Sequence, residues 1–153
     1  MLKVVQDLFD YDGWANGRIL DFLKSAQSTN RQALRLLAHL LVSEKIWLLR
    51  LQGEDTSAVN KSPELSLEEC VRLADEMREA FSDYLGSLSE DDLNASLTYK
   101  NFAGAEFRTH VREILMHVAQ HGTYHRGQIA TAVRATGVSP VNTDYINFVR
   151  ERA

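Results

Sequence analysis

The chain holds five histidines, and four of them fall within residues 110–125: His110, His117, His121 and His125. Neutral imidazole is the commonest protein ligand for transition metals, so histidines that can converge are candidate metal ligands. His121 and His125 are four residues apart, a spacing that sets two side chains together on one helix face and lets both reach one ion. The apolar residues around them, Val111, Ile114, Leu115, Val118, Ile129, Ala132 and Val133, form a stripe centred near Val111. At about 100° per residue, His125 lies roughly 40° from that centre, His121 about 80° and His117 about 120°. His125 is therefore expected in the core, His121 at its edge and His117 towards the boundary. His110 reads as a helix-start residue.

A metal site that keeps a position for water or substrate takes three protein ligands, so the third must come from another helix. His39 interrupts the run Leu36, Leu37, Ala38, Leu40, Leu41 and Val42. Such a segment is apolar enough to be buried, and a buried imidazole needs a partner. A metal is one such partner and a core hydrogen bond is another; a His-x-x-x-His pair also arises on helices with no ion. Taken together, His39, His121 and His125 are the expected ligands of one divalent metal. Glu113 and Tyr124 are candidates to approach the reacting groups. His117, Arg126 and Gln128 are candidates to support the ligands or to pack beside them.

Several other chemistries lack their residues. Gly122 follows His121, so the His-Glu-x-x-His motif is absent, and Glu113 with His117 has the wrong spacing for a di-iron site. There is no Gly-x-Ser-x-Gly elbow, phosphate loop or dinucleotide fingerprint. Cys70 is the only cysteine, which excludes an intramolecular disulfide and thiolate metal clusters. A formal net charge of −4 and a pI near 5.7 argue against a nucleic-acid partner. The first ten residues mix Lys3, Gln6, Asp7 and Asp10 with apolar ones, unlike a signal or transit peptide. The longest apolar run, residues 36–42, is too short to span a bilayer. No membrane partner is expected, and the default location is cytoplasmic.

The elements that must carry these histidines read as helices, and residues 1–153 read as one all-α domain. The first helix covers residues 2–26, with Val5, Leu8, Phe9, Ile19, Leu20 and Leu23 in phase; Gly13 and Gly17 suit a close approach by another element. Ser28, Thr29 and Asn30 offer caps for a second helix over residues 31–52, and residues 54–63 are a polar loop. Ser66 with Glu69 forms a capping box for a third helix. Its stripe is Leu67, Cys70, Val71, Ala74, Met77, Phe81, Tyr84, Leu85 and Leu88. Residues 89–94 make a turn, and residues 97–102 and 106–109, around Gly104, form a short hairpin. A fourth helix spans residues 110–135 and stops before Gly137. Asn142 or Thr143 caps a short C-terminal helix over residues 144–152. Four long amphipathic helices with little strand imply a four-helix bundle.

With these motifs the chain resembles the DinB-like (DinB/YfiT) superfamily over nearly its whole length. The first helix carries Tyr11-x-x-Trp14-Ala15-Asn16 and the second His39-x-x-x-x-Glu44-x-x-Trp47. The fourth carries the most specific stretch, His117-x-x-x-His121-Gly-Thr-Tyr-His125-Arg-Gly-Gln128, and Asp144-Tyr145-Ile146-x-Phe148 follows. The resemblance implies a bundle with a long crossover connection, often assembled as a homodimer. It also implies one divalent metal, zinc or nickel, held by one histidine of the second helix and two of the fourth, here His39, His121 and His125. Some members are transferases or isomerases that use bacillithiol, mycothiol or glutathione. A second motive for a homodimer is the apolar surplus of the second helix, Ile46, Trp47, Leu48, Leu49 and Leu51, which exceeds what one core-facing stripe needs.

Three neutral ligands leave a divalent ion with its positive charge, which stabilises an anionic thiolate or lowers the pKa of water. The expected function is therefore a metal-dependent enzyme that transfers a low-molecular-weight thiol to an electrophile, with small molecules as its partners. The alternatives are a metal-dependent hydrolase and a non-catalytic helical protein that binds a metal or another protein.

Overall fold

The computed structural model describes residues 1–25 and 30–153. Four long helices, α1 (Leu2–Ser25), α2 (Arg31–Leu51), α3 (Leu67–Ser87) and α4 (Val111–Arg134), form a bundle. A 3₁₀ turn (Asp92–Asn94) and a hairpin of β1 (Ser96–Lys100) and β2 (Glu106–His110) lie between α3 and α4, and α5 (Tyr145–Arg152) ends the chain. The all-α bundle is thus as expected. The caps considered at Ser28 and Thr29, and the end of the first helix at Ala26, lie outside the described residues.

Local chemistry accounts for where the helices begin. Asn30 caps α2 by accepting from the Ala33 amide at 2.9 Å. The capping box of α3 is complete: Ser66 Oγ accepts from the Glu69 amide, and Glu69 Oε2 accepts from the Ser66 amide at 2.7 Å. His110 is both the last residue of β2 and the N-cap position of α4, though its side chain makes no cap bond there. Its Nδ1 lies 2.8 Å from the Asn94 carbonyl. The hairpin pairs Ser96 with His110 and Lys100 with Glu106, one or two residues displaced from the expected strands. The helical cap at the C-terminal end also shifts. It is Asp144 rather than Asn142 or Thr143, because Asn142 Oδ1 accepts from the Asp144 amide at 2.7 Å and ends the preceding turn there.

Pairings along the helices give the direction of each. Phe9 packs on Phe81, with centroids 4.5 Å apart, and Gln6 Nε2 donates to the Leu85 carbonyl, so α1 and α3 are antiparallel. Asn30 reaches Ala132 while Trp47 meets His117, so α2 and α4 are antiparallel too. Lys45 pairs with Glu76 at 2.9 Å, and the N-terminal halves of α2 and α3 share one apolar cluster. Those two helices therefore run the same way, and residues 52–66 form the long crossover that connects them.

Apolar packing is concentrated at the two ends of the bundle. One cluster unites Val5, Leu48, Leu51, Met77, Phe81, Leu85, Val111, Leu115 and Val118. The other unites Ile19, Leu20, Leu23, Leu37, Leu41, Cys70, Ile129 and Val133. The third-helix stripe is buried as expected at Cys70, Met77, Phe81 and Leu85. Gly13 admits Arg78 from α3: an added Cβ would lie 3.3 Å from Arg78 Cγ. The apolar surplus of α2 is covered within the single chain: Ile46, Leu48 and Leu51 are buried and Trp47 and Leu49 partly so. No helix among the described residues is long and apolar enough to cross a membrane.

Leu115 is fully buried, so Leu115→Ala should lower unfolding free energy by about 2–5 kcal/mol in urea denaturation. Ser66→Ala, which removes one cap bond, should cost about 1 kcal/mol. A reversed order would mean that α3 rather than the end cluster limits stability.

Candidate metal centre

The two halves of the cluster come from antiparallel helices. α4 presents His121 and His125 one turn apart, and α2 brings His39 against them, with ring centroids 4.7 Å from His125 and 5.8 Å from His121. His125 is buried and His121 and His39 are half-buried. His117, one turn earlier, is exposed. The order of exposure along α4 is the order that the helix phase gives.

One nitrogen from each of His39, His121 and His125 lies within 4.8 Å of the other two. His121 and His125 turn their Nε2 atoms to each other at 3.1 Å. Ligands 2.0–2.1 Å from a tetrahedral ion stand about 3.3 Å apart, so this pair is already near that spacing. Gln128 Oε1 lies 2.8 Å from His125 Nδ1. The amide oxygen can only accept, so His125 Nδ1 carries the proton and Nε2 keeps its lone pair towards the cluster. Burial depresses the His121 pKa to about 4, assisted by the neighbouring histidines, His125 most of all. Burial also lowers His39, opposed by a hydrogen bond with the Lys61 backbone of the crossover. The residues thus form a set of neutral nitrogen donors that could hold a divalent metal.

Beside the cluster, and between the two apolar ends, lies a buried polar layer. Arg126 Nη1 donates to Asp12 Oδ1 at 2.6 Å and to Asn16 Oδ1 at 2.9 Å, and Nη2 donates to Thr123 Oγ1. Asn16 Nδ2 in turn donates to Asp12 Oδ2 and Glu44 Oε1, both at 3.1 Å. Glu44 is held well above the usual carboxylate range by burial and by the adjacent Asp12. The layer depends on Gly122: an added Cβ would stand 2.5 Å from Asp12 Oδ1 and 3.0 Å from Arg126 Nη1.

The candidate supporting residues separate clearly. Gln128 touches a cluster histidine. His117 lies between Trp47, which it meets edge-on, and His121, against which it is tilted, at 5.1 and 5.6 Å between centroids. Tyr124 is 65% exposed with its ring 5.3 Å from that of His125, so it borders the cluster from outside. Arg126 turns away into the polar layer. Glu113 is not brought to the cluster: it is exposed, pairs with Arg112 at 3.0 Å, and sits eight residues from His121, about 12 Å along the helix. Asp12, Asn16 and Glu44 were not expected as a network. Their signal was a polar residue in phase with an apolar stripe, as Glu44 is with Leu37, Leu41 and Leu48.

The model of the DinB family matches residues 1–152. The chain belongs to the DinB family. It is 30% identical to Protein DinB of Bacillus subtilis (strain 168), an alignment that covers 90% of this chain and 89% of that one. Uncharacterized protein YizA of the same organism is 25% identical over 82% of this chain and 78% of its own. A crystal structure of a DinB-like protein from Bacillus cereus ATCC 10987 superposes with a TM-score of 0.61 at 16% identity, covering 90% of this chain and 94% of that one. That likeness concerns the fold. In this member, Tyr11 and Trp14 enclose Phe148 of α5, with centroids 5.8 and 5.7 Å away, while Trp14 Nε1 donates to Glu151. The first-helix and C-terminal motifs therefore join α5 to the bundle and leave the histidines to α2 and α4.

Two outcomes follow from this geometry. Gly122→Ala should destabilise the fold by roughly 1–3 kcal/mol in urea denaturation, because the clash displaces a buried charge. Gly127→Ala, where no atom lies within 4 Å, should stabilise by up to about 1 kcal/mol. Secondly, His121 has a folded pKa below its unfolded value, so the unfolded chain binds more protons between them. Stability of the metal-free protein should be full above about pH 6.5 and decline as pH falls towards 4. In His121→Phe the decline should be shallower; an identical slope would place the linked proton elsewhere.

Proposed function

We propose that the chain is a metal-dependent enzyme that transfers a low-molecular-weight thiol to an electrophile. The observation that carries the reading is a cluster of three imidazoles with no carboxylate among the converging donors. A divalent ion, zinc or nickel, would there supply Lewis acidity that favours thiolate over thiol at neutral pH.

The chain's own groups fit that use. The His125 Nδ1 proton is committed to Gln128, which points the Nε2 lone pair at the cluster. His39 and His121 are half-buried, so the cluster meets solvent on one side while α1 and the polar layer close the other. Tyr124 stands at that open side with its hydroxyl free to orient a second reactant. The single cysteine is no candidate for the nucleophile: Cys70 is fully buried in an apolar cluster, and burial pushes its thiol up to about 11.

The test loads the protein with zinc, nickel or manganese and supplies bacillithiol, mycothiol or glutathione with a model electrophile. Conjugation should require metal and disappear in His39→Ala. By elemental analysis, His125→Ala should lose the ion and His110→Ala should keep it, since His110 sits at the far end of α4 against Asn94. If no thiol reacts with any metal while esters or amides are hydrolysed, a hydrolase replaces this reading. Equal metal content in the two variants would remove the centre itself.

A further inference from the structure

A second cavity, of about 370 Å³, opens where the C-terminal turn of α2, the start of the crossover and the hairpin meet. Its wall includes Arg50, only 7% exposed. The guanidinium lies among the faces of Trp47, Phe102 and Tyr99, at 4.8, 5.3 and 5.6 Å from their centroids. Its Nε donates to Thr56 Oγ1 at 3.2 Å. Among the described residues the two Nη groups donate to nothing, and Arg50 is part of the cavity wall. Burial lowers the Arg50 pKa, and no carboxylate offsets the loss.

Aromatic faces stabilise a cation from above and below, but they leave its in-plane N–H donors without acceptors. A guanidinium edge turned into a cavity presents the fork that takes a carboxylate or phosphate through two parallel hydrogen bonds. The rest of the lining can complete such a site. Lys100 adds positive charge, and Thr98, Ser57 and Asn101 add neutral polar groups. Three carboxylates, Glu54, Asp55 and Glu106, also line the cavity against the two cations, so an anion here would be held by the guanidinium fork and not by the net charge of the wall; Asp55 accepts from the Ser57 amide and hydroxyl, both at 2.9 Å. The position is also informative. Trp47, which backs Arg50, meets His117 edge-on, and His117 lies tilted against His121, so these rings stand between the cavity and the histidine cluster.

We propose that Arg50 binds an oxyanion, a carboxylate or phosphate group of a small molecule that enters this cavity. That this molecule is a substrate rests on the function proposed above; the anion site does not.

The experiment titrates succinate and inorganic phosphate into metal-free protein by calorimetry, with Trp47 fluorescence as a second readout. Wild type and His125→Ala should bind with equal millimolar affinity, and Arg50→Met should weaken binding about tenfold or more. Binding of succinate alone assigns a carboxylate ligand, and of phosphate alone a phosphate ligand. Circular dichroism checks that Arg50→Met is folded; if it is not, Arg50→Lys, which keeps the charge but not the fork, should show the same weakening. The proposal is overturned if neither anion binds, if the Arg50 variants bind as wild type does, or if His125→Ala abolishes binding. Anion binding that persists while every thiol fails to react would retain Arg50 and discard the thiol-transfer reading.

Discussion

The buried pairing of Arg126 with Asp12 is the constraint on which the middle of this bundle depends. Both side chains are almost wholly enclosed, and an enclosed charge without its partner costs several kcal/mol. The pair can form only when α1 and α4 stand at one height and one rotation. Asn16 extends the requirement to α2, because its amide bridges Asp12 and Glu44. Apolar clusters at the two ends tolerate small slips, since any close-packed arrangement of similar volume serves them nearly as well. The polar layer does not, because a slip would leave donors unpaired. Arg126 is the residue after His125, so the contact that fixes α4 also fixes the direction of its histidines.

The same layer governs the charge that the histidines feel. Asp12 pairs with Arg126, and burial and the Asp12 carboxylate both oppose ionisation of Glu44. Burial and mutual repulsion then depress His121 to about 4 and lower His39, so both offer lone pairs at neutral pH. An ionised carboxylate in Glu44's place would favour imidazolium instead and work against metal binding. The raised acid and the donor set are two consequences of one electrostatic arrangement.

Local pattern carried much of this into the sequence. The phase of α4 placed His125 inside, His121 at the edge and His117 towards the boundary, because rotation along one helix is set by 3.6 residues per turn. The Ser66 and Glu69 box was legible because it closes within one turn. Readings that needed distant partners were not legible. Glu113 shares a helix with His121 but stands about 12 Å along it, and its type alone does not bring it to the cluster. Gly122 breaks the His-Glu-x-x-His motif, and its real use, room for an aspartate from α1, rests on a contact across 110 residues. The C-terminal cap moved to Asp144 because Asn142 was engaged in a turn of its own. The aromatic enclosure of Arg50 joins α2 to a hairpin about fifty residues away, and no periodicity links them.

A division of labour between regular and irregular segments follows from these contacts. The helices supply rigid donors: three imidazoles, and a guanidinium rooted in the last turn of α2. The surfaces over those donors come from segments outside the four helices. The crossover brings the Lys61 backbone to His39 and Thr56 to Arg50, and the hairpin lays Tyr99 and Phe102 against the same guanidinium. Bundle packing depends little on the details of either segment, because the apolar clusters draw mainly on the four helices. Changes in the crossover or hairpin would therefore reshape what approaches the donors while the donors kept their positions. The long connection that the up-down-down-up helix order requires thus also forms part of the wall around both sites.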